Sequence, residues 1–239
     1  MTDEPSKAKQ PRKVSSHSFG AAMHAIAEPE VSQPALRRLP LYFGFLKEQQ
    51  EKGVRTISSS TIADNLNLHP VQVRKDLSLT QVSGKPRAGF SVDRLLEELS
   101  RMLDYHNLKN AVLVGCGQLG RALLNYPGFR GYGLNFIAAF DQDRSLVGEK
   151  VGPAQVYAME ELSTIIRRYQ VHIAVLTVPA SAAQAIAEEL IRYDIRAIWN
   201  FAPVFLQLPE EIIVQNENIA ASLSVLSKRL SDQEKRLRV

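Results

Sequence analysis

The chain has 239 residues, 45% of them hydrophobic and 23% charged, which allows one large or two small globular domains. One cysteine excludes an internal disulfide framework, and no apolar run is long enough for a membrane span or a signal sequence, so we expect a cytoplasmic protein. The first 90 residues hold 13 Lys and Arg against 8 Asp and Glu, and the rest hold 16 against 17. This asymmetry indicates a polyanionic partner for the first part, and a merely soluble surface is the alternative that charge alone does not exclude.

Residues 1–33 are rich in Pro, Ser, Lys and Gln without an apolar period, which predicts a disordered basic tail. From Pro34 an apolar stripe at helical spacing predicts a first helix that ends before Gly53. Ser58 and its neighbours offer caps for a second helix, and Asn67 makes a turn before a third helix over Pro70–Leu77. This order predicts a helix-turn-helix.

The third helix carries the candidate base-reading residues. Val73 and Leu77 face the core, and other faces are left to Gln72, Arg74, Lys75 and Ser78. These side-chain types contact base edges and phosphates, whereas the alternative is an ordinary solvated helix face.

A basic hairpin follows the third helix. Gly84 and Gly89 bracket Lys85 and Arg87, as in a wing laid along a DNA backbone or minor groove. With a fourth helix over residues 92–105, residues 34–109 are predicted to form a winged helix. Some winged helices bind only proteins, so a protein partner remains the alternative.

Residues 111–125 predict a strand, a glycine turn and a helix. Gly115 permits the turn, Gly117 lets a pyrophosphate approach the backbone, and Gly120 lets the helix pack on the strand. The turn also contains Cys116, Gln118 and Leu119, and we interpret Cys116 as a small turn residue rather than a redox thiol.

Asp141 follows Gly120 by 21 residues, at the end of the next predicted strand. A carboxylate there accepts hydrogen bonds from an adenosine ribose and repels the 2′-phosphate of NADP, which predicts NAD(H) as cofactor. Arg144 could tolerate a phosphate, but Asp141 holds the decisive position.

Further strands at 135–140, 155–157, 171–177, 195–200 and 212–215, with helices at 160–169 and 181–193, predict a Rossmann doubly wound parallel sheet over residues 110–216. Two segments at carboxyl ends of strands could form the floor for a flat ring, although plain turns are the alternative. They supply Thr177, Val178, Pro179 and Ala180, and Asn200, Ala202 and Pro203. Residues 217–239 contain an amphipathic helix over 219–230 that either docks on its own sheet or exchanges with a partner.

Several of these segments resemble the Rex family of redox-sensing transcriptional repressors. The matching pieces are RLPLY at 38–42, VRKDLS at 73–78, VGCGQLGRAL at 114–123, YPGF at 126–129, AAFD at 138–141, LTVPA at 176–180 and NFAPV at 200–204. The resemblance covers about residues 36–230.

The resemblance implies a homodimer whose winged helix binds an inverted-repeat operator and whose Rossmann domain binds NAD(H), with the last helix swapped between subunits. NADH then releases DNA, and no residue is catalytic. It further implies that Arg74, Lys75, Lys85 and Arg87 contact DNA, that residues 115–120 and Asp141 hold the dinucleotide, and that Tyr126 takes part in the redox switch.

The chain departs from this family at three places. Residues 79–83 replace an aromatic-glycine segment, and Gly44 and Asn218 stand where some members have an arginine and an aspartate that link Tyr126 to the domain interface. The coupling of cofactor to DNA should therefore differ.

Two other functions compete. An NAD-dependent dehydrogenase needs a proton donor near the hydride, and His172, the only histidine of the Rossmann half, begins a strand and so lies away from the carboxyl ends. A CoA- or nucleotide-binding module with a protein-binding winged helix is the third reading, against which Asp141 argues.

Overall fold

The computed structural model describes residues 31–86 and 88–237. Residues 1–30, which make up most of the predicted tail, and Arg87 lie outside the described residues. The first domain contains α1 (Gln33–Glu51), β1 (Thr56–Ile57), α2 (Ser59–Leu66), α3 (Pro70–Leu77), β2 (Phe90–Ser91) and α4 (Val92–Met102). β1 and β2 pair antiparallel, and a 3-10 turn, Ser78–Thr80, follows α3.

Local signals set the ends of these helices. Ser58 Oγ accepts a hydrogen bond from the Thr61 N–H at 3.0 Å, which caps α2, and Asn67 ends that helix in the left-handed region at φ 52°. Pro70 occupies the first position of α3, which has the predicted bounds. Ser91 caps α4.

The first domain has its own apolar core. It includes the fully buried side chains of Leu39, Tyr42, Leu46, Ile62, Val73, Leu77, Leu95 and Leu99. Because α1 and α4 flank the helix-turn-helix and contribute to the same core, α3, which carries the candidate base-reading residues, rests on a fixed base.

The second domain is built on a sheet whose order is β5-β6-β4-β3-β7-β8-β9. Its strands are β3 (Lys109–Val114), β4 (Leu134–Asp141), β5 (Lys150–Val151), β6 (Ala154–Ala158), β7 (Ile173–Leu176), β8 (Ala197–Asn200) and β9 (Ile213–Asn216). Its helices are α5 (Gln118–Leu124), α6 (Leu162–Arg168) and α7 (Ala180–Arg192), with 3-10 segments Pro127–Tyr132, Arg144–Leu146 and Met159–Glu161.

The pairing is parallel except at one edge, where β5 and β6 run antiparallel. This edge is the one antiparallel pair of the otherwise parallel sheet, because Gly152 at φ +57° turns the chain directly back on itself. The order places β3 between β4 and β7, so the connections leave β3 in opposite directions, and their divergence creates a crevice at the carboxyl ends of the strands.

The last helix, α8 (Ile219–Leu237), is longer than predicted and stands off the body of the molecule. From residue 220 to residue 237 its side chains are exposed, apart from a half-buried Asp232. Leu223 and Leu226 are each 63% exposed. Among the described residues, none of the helices is both long and apolar enough for a membrane crossing.

Candidate functional sites

The glycine turn after β3 brings three backbones together. Gly115 has φ +102°, and a Cβ there would lie 2.7 Å from the carbonyl oxygen of Thr177. A Cβ on Gly120 would lie 2.1 Å from the Gly115 carbonyl oxygen, which also accepts a 2.7 Å hydrogen bond from Thr177 Oγ1. By contrast, apart from Gly117 itself and its neighbours in the chain, no atom lies within 4 Å of the Cβ position of Gly117. The first and last glycines serve packing, and the middle one exposes backbone to the crevice.

Asp141 fixes the opening of the turn. Its Oδ2 accepts a hydrogen bond from the Cys116 N–H at 2.6 Å, and its Oδ1 accepts one from the Asp143 N–H at 2.9 Å. A carboxylate offers about four lone-pair directions, so two remain for a ligand.

A cleft of about 880 Å³ lies over the carboxyl ends of β3 and β7. Eight of the predicted cofactor residues line it, namely Gly115, Gly117, Leu119, Asp141, Thr177, Val178, Pro179 and Pro203. The sequence reasoning missed one face of α7, with Ser181, Ala182, Ala185, Ile186 and Glu189, and also missed Gln142 and Met159. Phe201, which lies inside the predicted floor segment 200–203, lines the cleft as well. The cleft is thus largely apolar, with acidic groups at Asp141 and Glu189.

Four other predicted residues do not line the cleft, and each lies close to the glycine turn or to α7. Cys116 is buried beneath the turn, where burial, with the nearby Asp141 charge, raises the pKa of its thiol to about 11. Gly120 is buried in α5, and Gln118 and Ala180 are exposed at the starts of α5 and α7. The neutral, buried thiol fits the turn-residue interpretation of Cys116.

Asn200 builds the turn beneath the cleft instead of facing it. Its Nδ2 donates to the Val204 carbonyl at 2.8 Å and to Asn216 Oδ1 at 2.9 Å, and its Oδ1 accepts from the Ala202 N–H at 3.0 Å. Ala202 lines a neighbouring cavity of about 490 Å³ at the base of α8, which shares Pro203 with the main cleft. Asn200 therefore positions Pro203.

Tyr126 is half exposed, and its ring packs on Phe129 with centroids 4.9 Å apart. Gly128 permits this, because a Cβ there would lie 2.4 Å from the tyrosine ring. Asn218 Oδ1 accepts a hydrogen bond from the Ala221 N–H at 3.0 Å and so caps α8, while Gly44 faces Tyr132. Tyr126 thus lies outside the cleft lining, and Asn218 has a structural partner of its own.

Arg144 and His172 bear on two alternatives, namely NADP as the cofactor and a dehydrogenase as the function. Arg144 forms an ion pair with Glu160, so its guanidinium is already engaged. His172 lies just before β7, and its Nδ1 is 3.0 Å from the Asp194 carbonyl oxygen. His172 is therefore at the opposite end of the sheet from the cleft, as the sequence predicts.

A buried ionic network anchors α3. Asp76 of α3 is 2% exposed and accepts two hydrogen bonds from Arg38, at 2.7 and 2.9 Å. Tyr42 Oη donates to it at 2.7 Å, and Gln72 Nε2 donates at 2.9 Å. Burial raises the pKa of Asp76, but the hydrogen bonds from Arg38, Tyr42 and Gln72 outweigh burial and leave the pKa below its usual range.

The remaining candidate DNA contacts occupy the outer side of α3 and the hairpin. Arg74 and Lys75 are exposed, and Ser78 Oγ donates to the Lys75 carbonyl at 2.7 Å. In contrast to the predicted outward role, the Gln72 amide is held by Asp76.

Lys85 and Gly89 form the base of the predicted wing. The Lys85 N–H donates to the Gly89 carbonyl at 2.8 Å, and the Gly89 N–H donates to the Lys85 carbonyl at 2.9 Å. Gly89 has φ +79°, and a Cβ there would lie 2.3 Å from the Ile57 carbonyl oxygen. Only glycine therefore lets the hairpin close against β1. The cationic side chain of Lys85 is exposed.

Within residues 31–86 and 88–237, no cluster of His, Cys, Asp or Glu could hold a metal ion.

Two family models match the chain. "Putative DNA-binding protein N-terminus" matches residues 30–78, and "CoA binding domain" matches residues 106–204. Together they cover the helix-turn-helix and most of the sheet domain.

Relatives named "Redox-sensing transcriptional repressor Rex" match over nearly their whole length. The protein from Treponema denticola is 37% identical over 201 residues, 84% of this chain and 96% of the relative. The protein from Bacteroides fragilis is 40% identical over 205 residues, 86% of this chain and 93% of the relative.

Solved structures of the protein RSP, described as a Rex-family repressor, are similar across both domains. RSP in complex with beta-NADH has a TM-score of 0.79 at 32% identity, covering 87% of this chain and 98% of RSP. RSP in complex with beta-NAD+ and operator DNA has a TM-score of 0.77 at 33% identity, covering 87% of this chain and 97% of RSP.

Proposed function

The chain belongs to the Rex family of redox-sensing transcriptional repressors, and we propose that it represses transcription as a homodimer on an inverted-repeat operator from which NADH releases it. The observation that carries the proposal is the cleft at the sheet's switch point, with Asp141 held against the glycine turn, in one chain with a basic winged helix. A cytoplasmic location follows, since the operator DNA is there.

The cofactor is NAD(H), with its pyrophosphate on residues 115–120. The backbone at Gly117 is open to the cleft, and Asp141 keeps lone pairs for the ribose hydroxyls. Asp141 disfavours the 2′-phosphate of NADP, and Arg144 is already paired with Glu160. The nicotinamide end of the cleft is formed by two groups of residues. Some line it, and others support the lining from behind; together they are residues 177–180, Asn200, Ala202, Pro203 and Tyr126.

DNA is contacted by α3 and the hairpin. Arg74 and Lys75 reach base edges or phosphates from the exposed side of α3, with Gln72 and Ser78 at its margins. Lys85, Arg87 and Gly89 bring the wing to the backbone or the minor groove. The positive charges of the four Lys and Arg side chains predict binding that weakens steeply as salt rises.

Dimerisation uses α8. Leu223, Leu226 and Leu230 lie on one face of this helix and are exposed in the single chain. A second copy that covers this face buries all three leucines, and symmetry then presents two recognition helices to two half-sites. Removal of residues 219–239 should leave a monomer in light scattering, whereas a truncated chain that is still dimeric contradicts this assignment.

The nicotinamide ring carries a positive charge when oxidised and none when reduced. Because the cleft is largely apolar, this charge changes the binding free energy more than it would in water. The reduced form favours a closed dimer whose recognition helices are wrongly spaced for adjacent major grooves. A hundredfold change in operator affinity requires roughly 2.7 kcal/mol of differential cofactor binding between the two dimer states.

The test measures the affinity of the full chain for a DNA duplex that it selects from a random-sequence pool, across NADH/NAD+ ratios at fixed salt. NADH should weaken binding far more than NAD+ does. Equal duplex binding at every ratio contradicts the proposal.

The matched CoA-binding family model makes CoA the competing ligand to exclude. Direct titration of the chain with NADH and with CoA distinguishes the two ligands. NADH should bind more tightly, because only NAD(H) has a nicotinamide ring to place against Pro179 and Pro203. Steady turnover of NADH with a carbonyl substrate would favour the dehydrogenase alternative, but the relatives are named as repressors, and His172 lies away from the cleft.

A further inference from the structure

Three aromatic rings join the two domains. Phe43 lies on α1, Tyr105 follows α4, and Tyr132 ends the 3-10 segment Pro127–Tyr132. The ring centroids are 5.0 Å apart for Phe43 and Tyr105, 5.8 Å for Phe43 and Tyr132, and 5.2 Å for Tyr105 and Tyr132, all edge to face. Edge-to-face packing is directional, so displacement of one ring disturbs the other two.

The 3-10 segment lies against α1 at two glycines. A Cβ on Gly44 would lie 3.3 Å from the Tyr132 hydroxyl, and a Cβ on Gly131 would lie 3.4 Å from Lys47 Nζ. α1 also supplies Arg38 and Tyr42, which hold Asp76 of the recognition helix. The segment therefore abuts the helix that anchors α3.

Ring contacts also connect the segment Pro127–Tyr132 with the cofactor cleft. Phe129 packs edge to face on Trp199 with centroids 5.6 Å apart, and Trp199 contacts Phe201 at 4.8 Å. Phe201 lines the cleft. An unbroken series of ring contacts thus runs from the cleft to Phe129, within a six-residue segment whose last residue, Tyr132, touches α1.

We propose that the segment Pro127–Tyr132 transmits the cofactor state from the cleft to α1, with Tyr132 as the contact that delivers it. The inference rests on the proposed function and names the route by which NADH reaches the DNA-binding domain. Phe129 and Tyr132 are three residues apart, which places them on the same side of a 3-10 helix and about 6 Å apart along it. A shift of Phe201 with the cofactor form moves Phe129, and the short hydrogen-bonded segment carries Tyr132 with it.

The test uses the full chain with Tyr132→Leu, which keeps apolar bulk and removes the ring. Three quantities are measured, namely the Kd for NADH, the Kd for the selected duplex without NADH, and the ratio of duplex Kd values with and without saturating NADH. The two separate Kd values should stay within about threefold of wild type, and the ratio should fall at least tenfold. Tyr132→Phe, which keeps the ring, and Tyr169→Leu, at an exposed tyrosine outside the three-ring cluster, should retain the wild-type ratio.

A wild-type ratio in Tyr132→Leu overturns the inference. Loss of duplex affinity already without NADH also overturns it, because Tyr132 then only holds the winged helix in place. Phe43→Leu carries the same expectations and replaces Tyr132→Leu if that variant does not fold. If NADH does not change the duplex affinity of the wild-type chain, the proposed function itself is overturned. Failure of the inference about Tyr132 is therefore distinguishable from failure of the proposed function.

Discussion

Replacement of Asp76 by Asn tests whether the buried network fixes the recognition helix. The carboxylate accepts four hydrogen bonds, two from Arg38 and one each from Tyr42 and Gln72. Asparagine keeps the volume but loses the charge, and its NH₂ group faces a donor. The guanidinium of Arg38 then lacks its carboxylate partner in a partly buried position.

The expected cost follows from the burial of the two partners. Loss of one partner from a buried ion pair costs about 3–5 kcal/mol, chiefly because the other charge is left uncompensated. Asp76 is 2% exposed, but the Arg38 side chain is 21% exposed and recovers some hydration, so we expect about 3 kcal/mol. For a chain of this size, that lowers Tm by roughly 6–12 °C.

The effect should depend on pH in one direction. Since the folded-state pKa of Asp76 is lowered, its contribution to the free energy of unfolding is present above the ordinary aspartate range and is lost as pH falls through the folded value. The stability difference between wild type and Asp76→Asn should therefore be full at pH 7 and shrink in acid below about pH 4.

Thermal and urea unfolding measure the loss, and duplex binding at fixed salt should weaken at least tenfold while NADH affinity stays near wild type. The matched control is Asp93→Asn, which removes the charge from the acceptor of an exposed hydrogen bond from Gln50 and should cost less than about 1 kcal/mol. Wild-type Tm and duplex affinity in Asp76→Asn would refute the anchoring role.

Three further outcomes are expected. Asp141→Ala should weaken NADH binding at least tenfold and narrow its preference over NADPH; an unaltered preference in parallel titrations contradicts the ribose assignment. Cys116 should react with a thiol reagent at pH 8 at least a hundredfold more slowly in the folded chain than in urea, because its pKa is about 11 and its side chain is buried; equal rates contradict this. Gly89→Ala, which places a Cβ 2.3 Å from a carbonyl oxygen at φ +79°, should weaken duplex binding and leave NADH binding unchanged; wild-type duplex affinity would show that the hairpin tip is dispensable.

The cofactor turn could be predicted because its requirements are local. A strand, glycines at fixed spacing and a carboxylate at the end of the next strand all lie within a short stretch, and Asp141 lies where the pattern indicates. The α7 face of the cleft was missed for the opposite reason. Ala183 and Ala187 face the core while Ala182 and Ala185 face the cleft, so residue type does not distinguish the two sides.

Long-range pairing explains the other misses. Arg38 and Asp76 are 38 residues apart, and no periodic pattern in the sequence predicts their contact. Asp76 also holds the side-chain amide of Gln72 by a hydrogen bond. The sequence did not predict the 3-10 segment Pro127–Tyr132, because its glycines and short period resemble an ordinary turn. Its importance depends on aromatic partners that come from three other parts of the chain.

The exposed apolar face of α8 makes the behaviour of this protein depend on its own abundance. Each fully buried leucine side chain contributes about 1.5–3 kcal/mol, and Leu223, Leu226 and Leu230 gain this only when something covers them. If the cover is a second copy, Tm rises with protein concentration, and dilution releases single chains that offer DNA one half-site contact instead of two. Operator occupancy then reports the number of chains in the cell as well as the cofactor ratio, and a low copy number alone lifts repression.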